Sequence, residues 1–147
     1  MHLKTPNIDP EKINALRGHM IAGGLILILT LLRIFVRFKT ASPNPVTTSN
    51  AFLDKVAALV HLLLNLLVLV MAGSGIALAL GAELPDIVFG GSGQPLPMNF
   101  QDFPARAVHG IVSKLLIALI LLHIAGAIYH QVILKDKLMK RMWFGKR

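Results

Sequence analysis

Three stretches of the sequence consist almost entirely of apolar residues, and polar segments separate them. The stretches cover about residues 18–38, 56–80 and 107–134. A helix needs about 20 apolar residues to cross a bilayer, and backbone groups in hydrocarbon must be hydrogen-bonded within their own segment. The pattern therefore predicts an all-α membrane protein, a single domain over residues 1–147 with three transmembrane helices. The first apolar core is too long for a cleaved signal peptide, and no small-residue cleavage site follows it.

The polar connections differ in charge. The 39–55 turn with its flanks and the 135–147 tail together contain ten of the fifteen basic residues. The 81–104 loop contains no basic residue and three acidic ones. Because short basic segments stay in the cytoplasm, the turn and the C-terminal tail are predicted to be cytoplasmic. The N-terminus and the 81–104 loop are then predicted to lie on the outer side.

Composition narrows the function classes further. The chain is 54% hydrophobic, only 15% charged and free of cysteine, which excludes a soluble globular domain and a disordered chain. Without cysteine there is no disulfide, thiolate metal site, iron–sulfur cluster or covalently attached haem. The net charge of +8 is explained by topology and by contact with anionic membrane lipid, so no nucleic-acid partner is predicted.

Histidine is the polar residue type that stands out in the apolar stretches. Five of the six histidines lie in or at the edges of the predicted spans: His19, His61, His109, His123 and His130. Ionisable groups are costly inside a membrane and commonly mark functional sites. For a single histidine the plainer interpretation, a hydrogen bond to a neighbouring helix, is the better one. Five histidines in three helices favour a shared function instead.

The histidine spacing predicts a haem site. His109 and His123 lie fourteen residues apart, which is nearly four helical turns and roughly 21 Å, so they point the same way at opposite depths. His19 opens the first span at the outer level of His109, and Gly23 on the same face leaves room for a flat macrocycle. Because a low-spin b-type haem takes two axial imidazoles, His19 and His109 are predicted to bind one haem.

Several short motifs occur in order along the chain. They are His19, Gly23 and Arg33 in the first span, His61 and Gly75 in the second, His109 and His123 in the third, and the ending YHQVILKDKLMKRMW. In these motifs the chain resembles the bacterial cytochrome b561 family. That family belongs to a wider superfamily of di-haem b-type cytochromes that includes subunits of hydrogenases and formate dehydrogenases.

The resemblance implies a four-helix haem-binding bundle in which this chain supplies helices 2–4. It implies that His19 and His109 are iron ligands of an outer haem, and that His123 is an iron ligand of an inner one. The family's first helix, which carries the second ligand of the inner haem, has no counterpart in residues 1–17. Three alternatives stay open for the inner site: His61 pairs with His123, a partner supplies the missing helix, or the site is vacant. The first is considered because His61 and His123 lie roughly 12 and 16 Å from the cytoplasmic ends of their helices, near one level. The favoured prediction is one secure haem b.

Two arginines precede the outer histidines. Arg17 lies two residues before His19, and Arg106 lies three residues before His109. Each is a candidate partner for a haem propionate. The alternative, given equal weight, is an arginine that extends along apolar surface to the lipid headgroups.

Three further polar residues near the histidines have simpler expected roles. Ser113 is expected to donate a hydrogen bond to a backbone carbonyl. Asn65, one turn after His61, is expected to be a hydrogen-bond partner of that histidine. His130 either lines a quinone pocket or contacts interfacial water, with water favoured.

The predicted function is haem b-dependent electron transfer across a bacterial inner membrane. The electrons would pass between a quinone or other small reductant and a redox partner protein, and quinone oxidoreductase activity is left open. One alternative is a cytochrome b subunit that anchors a dehydrogenase or hydrogenase. Another is a haem-free membrane scaffold with histidines in its helix contacts. A homo-oligomer is also left open.

Overall fold

The computed structural model describes residues 9–40 and 51–133, and these ranges contain helices and no strand. There are three long helices, and a short helix and a 3-10 turn lie between the second and the third of them. The elements are α1 (Pro10–Lys39), α2 (Ala51–Gly81), α3 (Leu84–Val88), the 3-10 turn Phe100–Asp102 and α4 (Pro104–Val132). The predicted all-α class is confirmed. Residues 1–8, most of the predicted cytoplasmic turn, and the 135–147 tail lie outside the described residues.

The three long helices are each long and apolar enough to cross a membrane, as the apolar stretches predicted. They begin three to eight residues before those stretches. In α1 the side chain of Asp9 accepts a hydrogen bond from the Glu11 N–H at 3.0 Å, and Pro10 stands in the first turn. Both features favour a helix start, so α1 extends eight residues before the apolar core.

The long helices form an up-and-down arrangement with one open side. α2 and α4 run antiparallel in direct contact, because His61 lies beside His123 and Ser74 lies beside His109. α1 packs against α2 and α3. Within the described residues, no Cα atom of α1 comes within 8 Å of one in α4. Among the long helices, α2 therefore packs against both α1 and α4, and a gap separates the backbones of α1 and α4.

Residues 82–103 form a packed cap over one end of the bundle, where a plain loop was predicted. Its apolar side chains are buried: Val88 is 1% exposed and Leu84 is 3% exposed. They contact the first turns of α1 through Leu16 and Met20. Burial of these side chains gives the segment a small core of its own, which the acidic, Gly-rich composition did not indicate. We call this end of the molecule the cap end.

Candidate functional site

His19 and His109 face each other across the gap between α1 and α4. Their ring centroids are 6.0 Å apart, and the ring planes are inclined by 78°. The two residues lie on different helices at the cap end, and His19 is exposed while His109 is partly buried. The structure thus brings together the two histidines that the depth argument paired.

The spacing of this pair fits a metal ion bound between two imidazoles. A metal–nitrogen bond of about 2.0 Å on each side, plus about 1.1 Å from nitrogen to ring centroid, gives about 6 Å between centroids. The backbones of α1 and α4 are farther apart than those of α2 and α4, since no Cα atom of α1 lies within 8 Å of one in α4 across the described residues. One turn below His19, a side chain added at Gly23 would meet nothing within 4 Å. The imidazole pair is the donor set of a b-type haem, and Gly23 places no side chain beside it.

The backbone of α2 determines which nitrogen of His109 is free. Nδ1 of His109 lies 3.2 Å from the carbonyl oxygen of Met71 and 3.1 Å from the hydroxyl oxygen of Ser74. A carbonyl oxygen only accepts hydrogen bonds, so the contact with Met71 requires a proton on Nδ1. In the neutral ring Nε2 then carries the lone pair, which is the form that binds a metal.

Gly75 allows the ring of His109 to approach α2. An ideal Cβ at this position would lie 3.2 Å from Cε1 and 3.5 Å from Nδ1 of His109. Any larger residue would therefore push the imidazole toward α1 or rotate it. Gly75 was a position of the sequence motif, and the structure gives it a physical role at the opposite helix.

A second histidine pair lies further along the bundle, away from the cap. The ring centroids of His61 and His123 are 5.0 Å apart, with planes inclined by 78°. The sequence placed these two residues near one level, and the structure agrees. The pair differs from the first one because its helices, α2 and α4, pack directly against each other. A macrocycle between these rings would require α2 and α4 to move apart.

Two smaller expectations have different outcomes. The Ser113 hydroxyl donates a hydrogen bond to the Gly110 carbonyl at 2.9 Å, as expected. The expectation for Asn65 is wrong in its detail, because its side-chain amide donates to the backbone carbonyl of His61 at 2.8 Å. The amide thus satisfies a carbonyl of its own helix.

The two arginines near the first histidine pair have different surroundings. Arg17 donates to the Val88 carbonyl from Nε at 3.0 Å and from Nη2 at 2.6 Å. It thereby connects α1 to the end of α3 in the cap. Arg106 lies along α4 over Gly110, with Nη1 3.0 Å from the position that a Cβ would take there. The sequence did not indicate the Val88 contact, which depends on the folding of the cap.

Across residues 9–40 and 51–133, no group of three or more His, Cys, Asp or Glu side chains is arranged to bind a metal ion. The candidate metal ligands therefore occur as the two histidine pairs. His130 belongs to neither, and its ring lies 6.2 Å from that of Tyr129. Sequence reasoning missed Met71 and Ser74. The only signal for them is a Ser-Gly step within the otherwise apolar 66–80 part of α2.

Comparison with known proteins gives a consistent result. The chain matches the sequence model of the family described as prokaryotic cytochrome b561 over residues 3–145. It is 32% identical over 136 residues to the protein named cytochrome b562 from Cereibacter sphaeroides, an alignment that covers 92% of this chain and 72% of that protein. No solved structure matches the chain significantly.

Proposed function

The chain belongs to the prokaryotic cytochrome b561 family, whose members carry electrons across membranes with haem b, and we propose that His19 and His109 are the axial ligands here. The observation that carries the assignment is the 6.0 Å separation of their rings, which lie on the two long helices with the wider backbone separation. When bound, haem b supplies a one-electron couple of its iron, tuned by its ligands and by the low dielectric of the membrane.

The protein's own groups orient the ligands and neutralise charge. The Met71 carbonyl keeps the proton of His109 on Nδ1, which leaves Nε2 available on the other side of the ring. Arg106 is the proposed partner of a propionate, because it lies one turn from His109 on α4. Arg17 is the weaker candidate, since two of its nitrogens already donate to Val88. Its proposed role is to keep the cap and the start of α1 together.

For the second pair we propose that His61 and His123 do not bind a haem in this 147-residue chain. To admit a macrocycle, α2 and α4 would have to separate and expose the contacts that join them. The two rings, at 5.0 Å, are also closer than the about 6 Å expected of two axial ligands of one ion. The proposal is therefore one haem per chain.

The proposed electron donor is a quinol or another small reductant, and the proposed acceptor is a redox partner protein. The proposed location is the bacterial inner membrane. The test of this function is the visible absorption spectrum of the purified protein. After expression with adequate haem supply, a dithionite-reduced minus oxidised spectrum should show the sharp α band of low-spin haem b. A correctly folded preparation that stays free of haem under these conditions would leave only the scaffold interpretation.

Charge asymmetry supports an orientation with the cap outside. Arg33, Arg37 and Lys39 lie at the end of α1 far from the cap, and the cap contains acidic residues without basic ones. Basic residues next to a span favour the cytoplasmic side.

The expected topology is an outer cap and a cytoplasmic C-terminus. Reporter fusions at Gly91 and after Arg147 should therefore report opposite sides of the membrane. Gly91 is suited to the insertion because it is exposed at the tip of the cap. The orientation is wrong if both fusions report the same side or if the C-terminal fusion reports the outer side.

A further inference from the structure

Ser74 is the one buried polar side chain among the residues that the structure describes, at 9% exposure. It lies in α2, which carries no proposed ligand of the haem between α1 and α4. Its hydroxyl donates to the Met71 carbonyl at 3.0 Å, one helical turn back. The same oxygen lies 3.1 Å from Nδ1 of His109. A buried hydroxyl in an apolar helix is thus directed at the ring of a proposed iron ligand.

The three polar atoms have one consistent set of hydrogen bonds. The Met71 carbonyl can only accept, so it receives the Ser74 O–H and also faces the Nδ1–H of His109 at 3.2 Å. Because the Ser74 proton is used on the carbonyl, a lone pair of Oγ remains for the Nδ1–H. The Nδ1–H of His109 therefore faces two oxygen acceptors, one from the backbone and one from the side chain of Ser74.

Two acceptors at Nδ1–H affect the nitrogen on the opposite side of the ring. They draw the proton outward and make Nε2 a stronger electron donor to a bound metal. A ligand that donates more strongly favours the oxidised iron, which carries the larger positive charge. The low dielectric of the helix interior strengthens this effect relative to water.

We propose that Ser74 is a positioning residue that orients His109 and lowers the reduction potential of the haem that His109 binds. The inference rests on the proposed function, because it requires His109 to be an axial ligand. The simpler alternative is that Ser74 only joins α2 to α4 by a hydrogen bond between packed helices. The two interpretations differ in the potential, which helix packing alone does not change.

The test is a redox titration, followed by the α band, of the haem-loaded protein with Ser74→Ala. Ser74→Thr retains a hydroxyl, and Ser113→Ala is a matched control whose hydroxyl bonds only Gly110 in α4. We expect Ser74→Ala to retain haem and to shift the reduction equilibrium about 2- to 10-fold toward the reduced form, the effect of one hydrogen bond. Ser74→Thr and Ser113→Ala should stay close to the unchanged protein.

An unchanged potential in Ser74→Ala, or the same shift in Ser113→Ala, would overturn the inference. If Ser74→Ala loses its haem, retention by Ser74→Thr supports the role of the hydroxyl, and loss in both variants contradicts it. His109→Ala separates this inference from the ligand assignment. A normal haem spectrum in His109→Ala refutes His109 as a ligand, whatever Ser74 does.

Discussion

Replacing His19 or His109 by alanine is expected to abolish the low-spin haem spectrum of the purified protein. A low-spin b-type haem needs two strong axial ligands, and alanine offers none. The two rings lie on separate helices with their centroids 6.0 Å apart, so each variant removes one of the two proposed ligands. Each single variant should lose the sharp α band, and the double variant should also lose most of its bound haem.

The measurement is the reduced-minus-oxidised spectrum together with the haem content per polypeptide. His2→Ala is the control, because His2 lies in the predicted polar N-terminal segment and should change neither quantity. Far-UV circular dichroism should show that the variants remain helical. A normal spectrum and normal haem content in the His19→Ala, His109→Ala double variant would refute the assignment.

The second large effect concerns stoichiometry, which is expected to be near one haem per 147-residue chain. His61 and His123 are close to each other and their helices pack directly, so α2 and α4 would have to separate to admit a macrocycle between the two rings. His61→Ala should therefore leave the haem content and the α band unchanged. By contrast, the His19→Ala, His109→Ala double variant should lose most of its haem.

The haem concentration is measured as the pyridine haemochrome and divided by the protein concentration from amino-acid analysis. The quotient is the number of haems per chain. The His61→Ala and His123→Ala variants are measured beside the unchanged chain. A ratio near two that falls to one in His61→Ala would establish ligation by His61 and His123 and contradict the proposal. A ratio near two that is insensitive to His61 would place a second haem elsewhere, and it too would contradict one haem per chain.

The two histidine pairs show which part of the site geometry the sequence could predict. The rise of about 1.5 Å per residue gives depth along a helix, and depth alone paired His19 with His109 and His61 with His123. It could not give the spacing between helices, which depends on how side chains of different segments pack. The two pairs differ in structure, because the backbones of α2 and α4 lie close together while those of α1 and α4 are farther apart.

The sequence by itself determined the three membrane-crossing helices of this protein. The reason is local: a long apolar segment in hydrocarbon must satisfy its own backbone hydrogen bonds, and a helix does so without any partner. The motif positions and the charge asymmetry are likewise properties of the chain that need no knowledge of packing. These features were sufficient for the family resemblance and for naming the two histidines at the cap end.

Only the tertiary structure decided which groups surround those histidines. The Met71 carbonyl and the Ser74 hydroxyl reach His109 from 38 and 35 residues away, through the rotation of α2 about its axis relative to α4. Arg17 meets Val88 across 71 residues because the cap folds back over α1. Such contacts depend on helix rotation and on a buried apolar cluster between distant segments. Neither is encoded in the periodicity of a single helix, since every apolar face of a membrane helix can meet either lipid or protein.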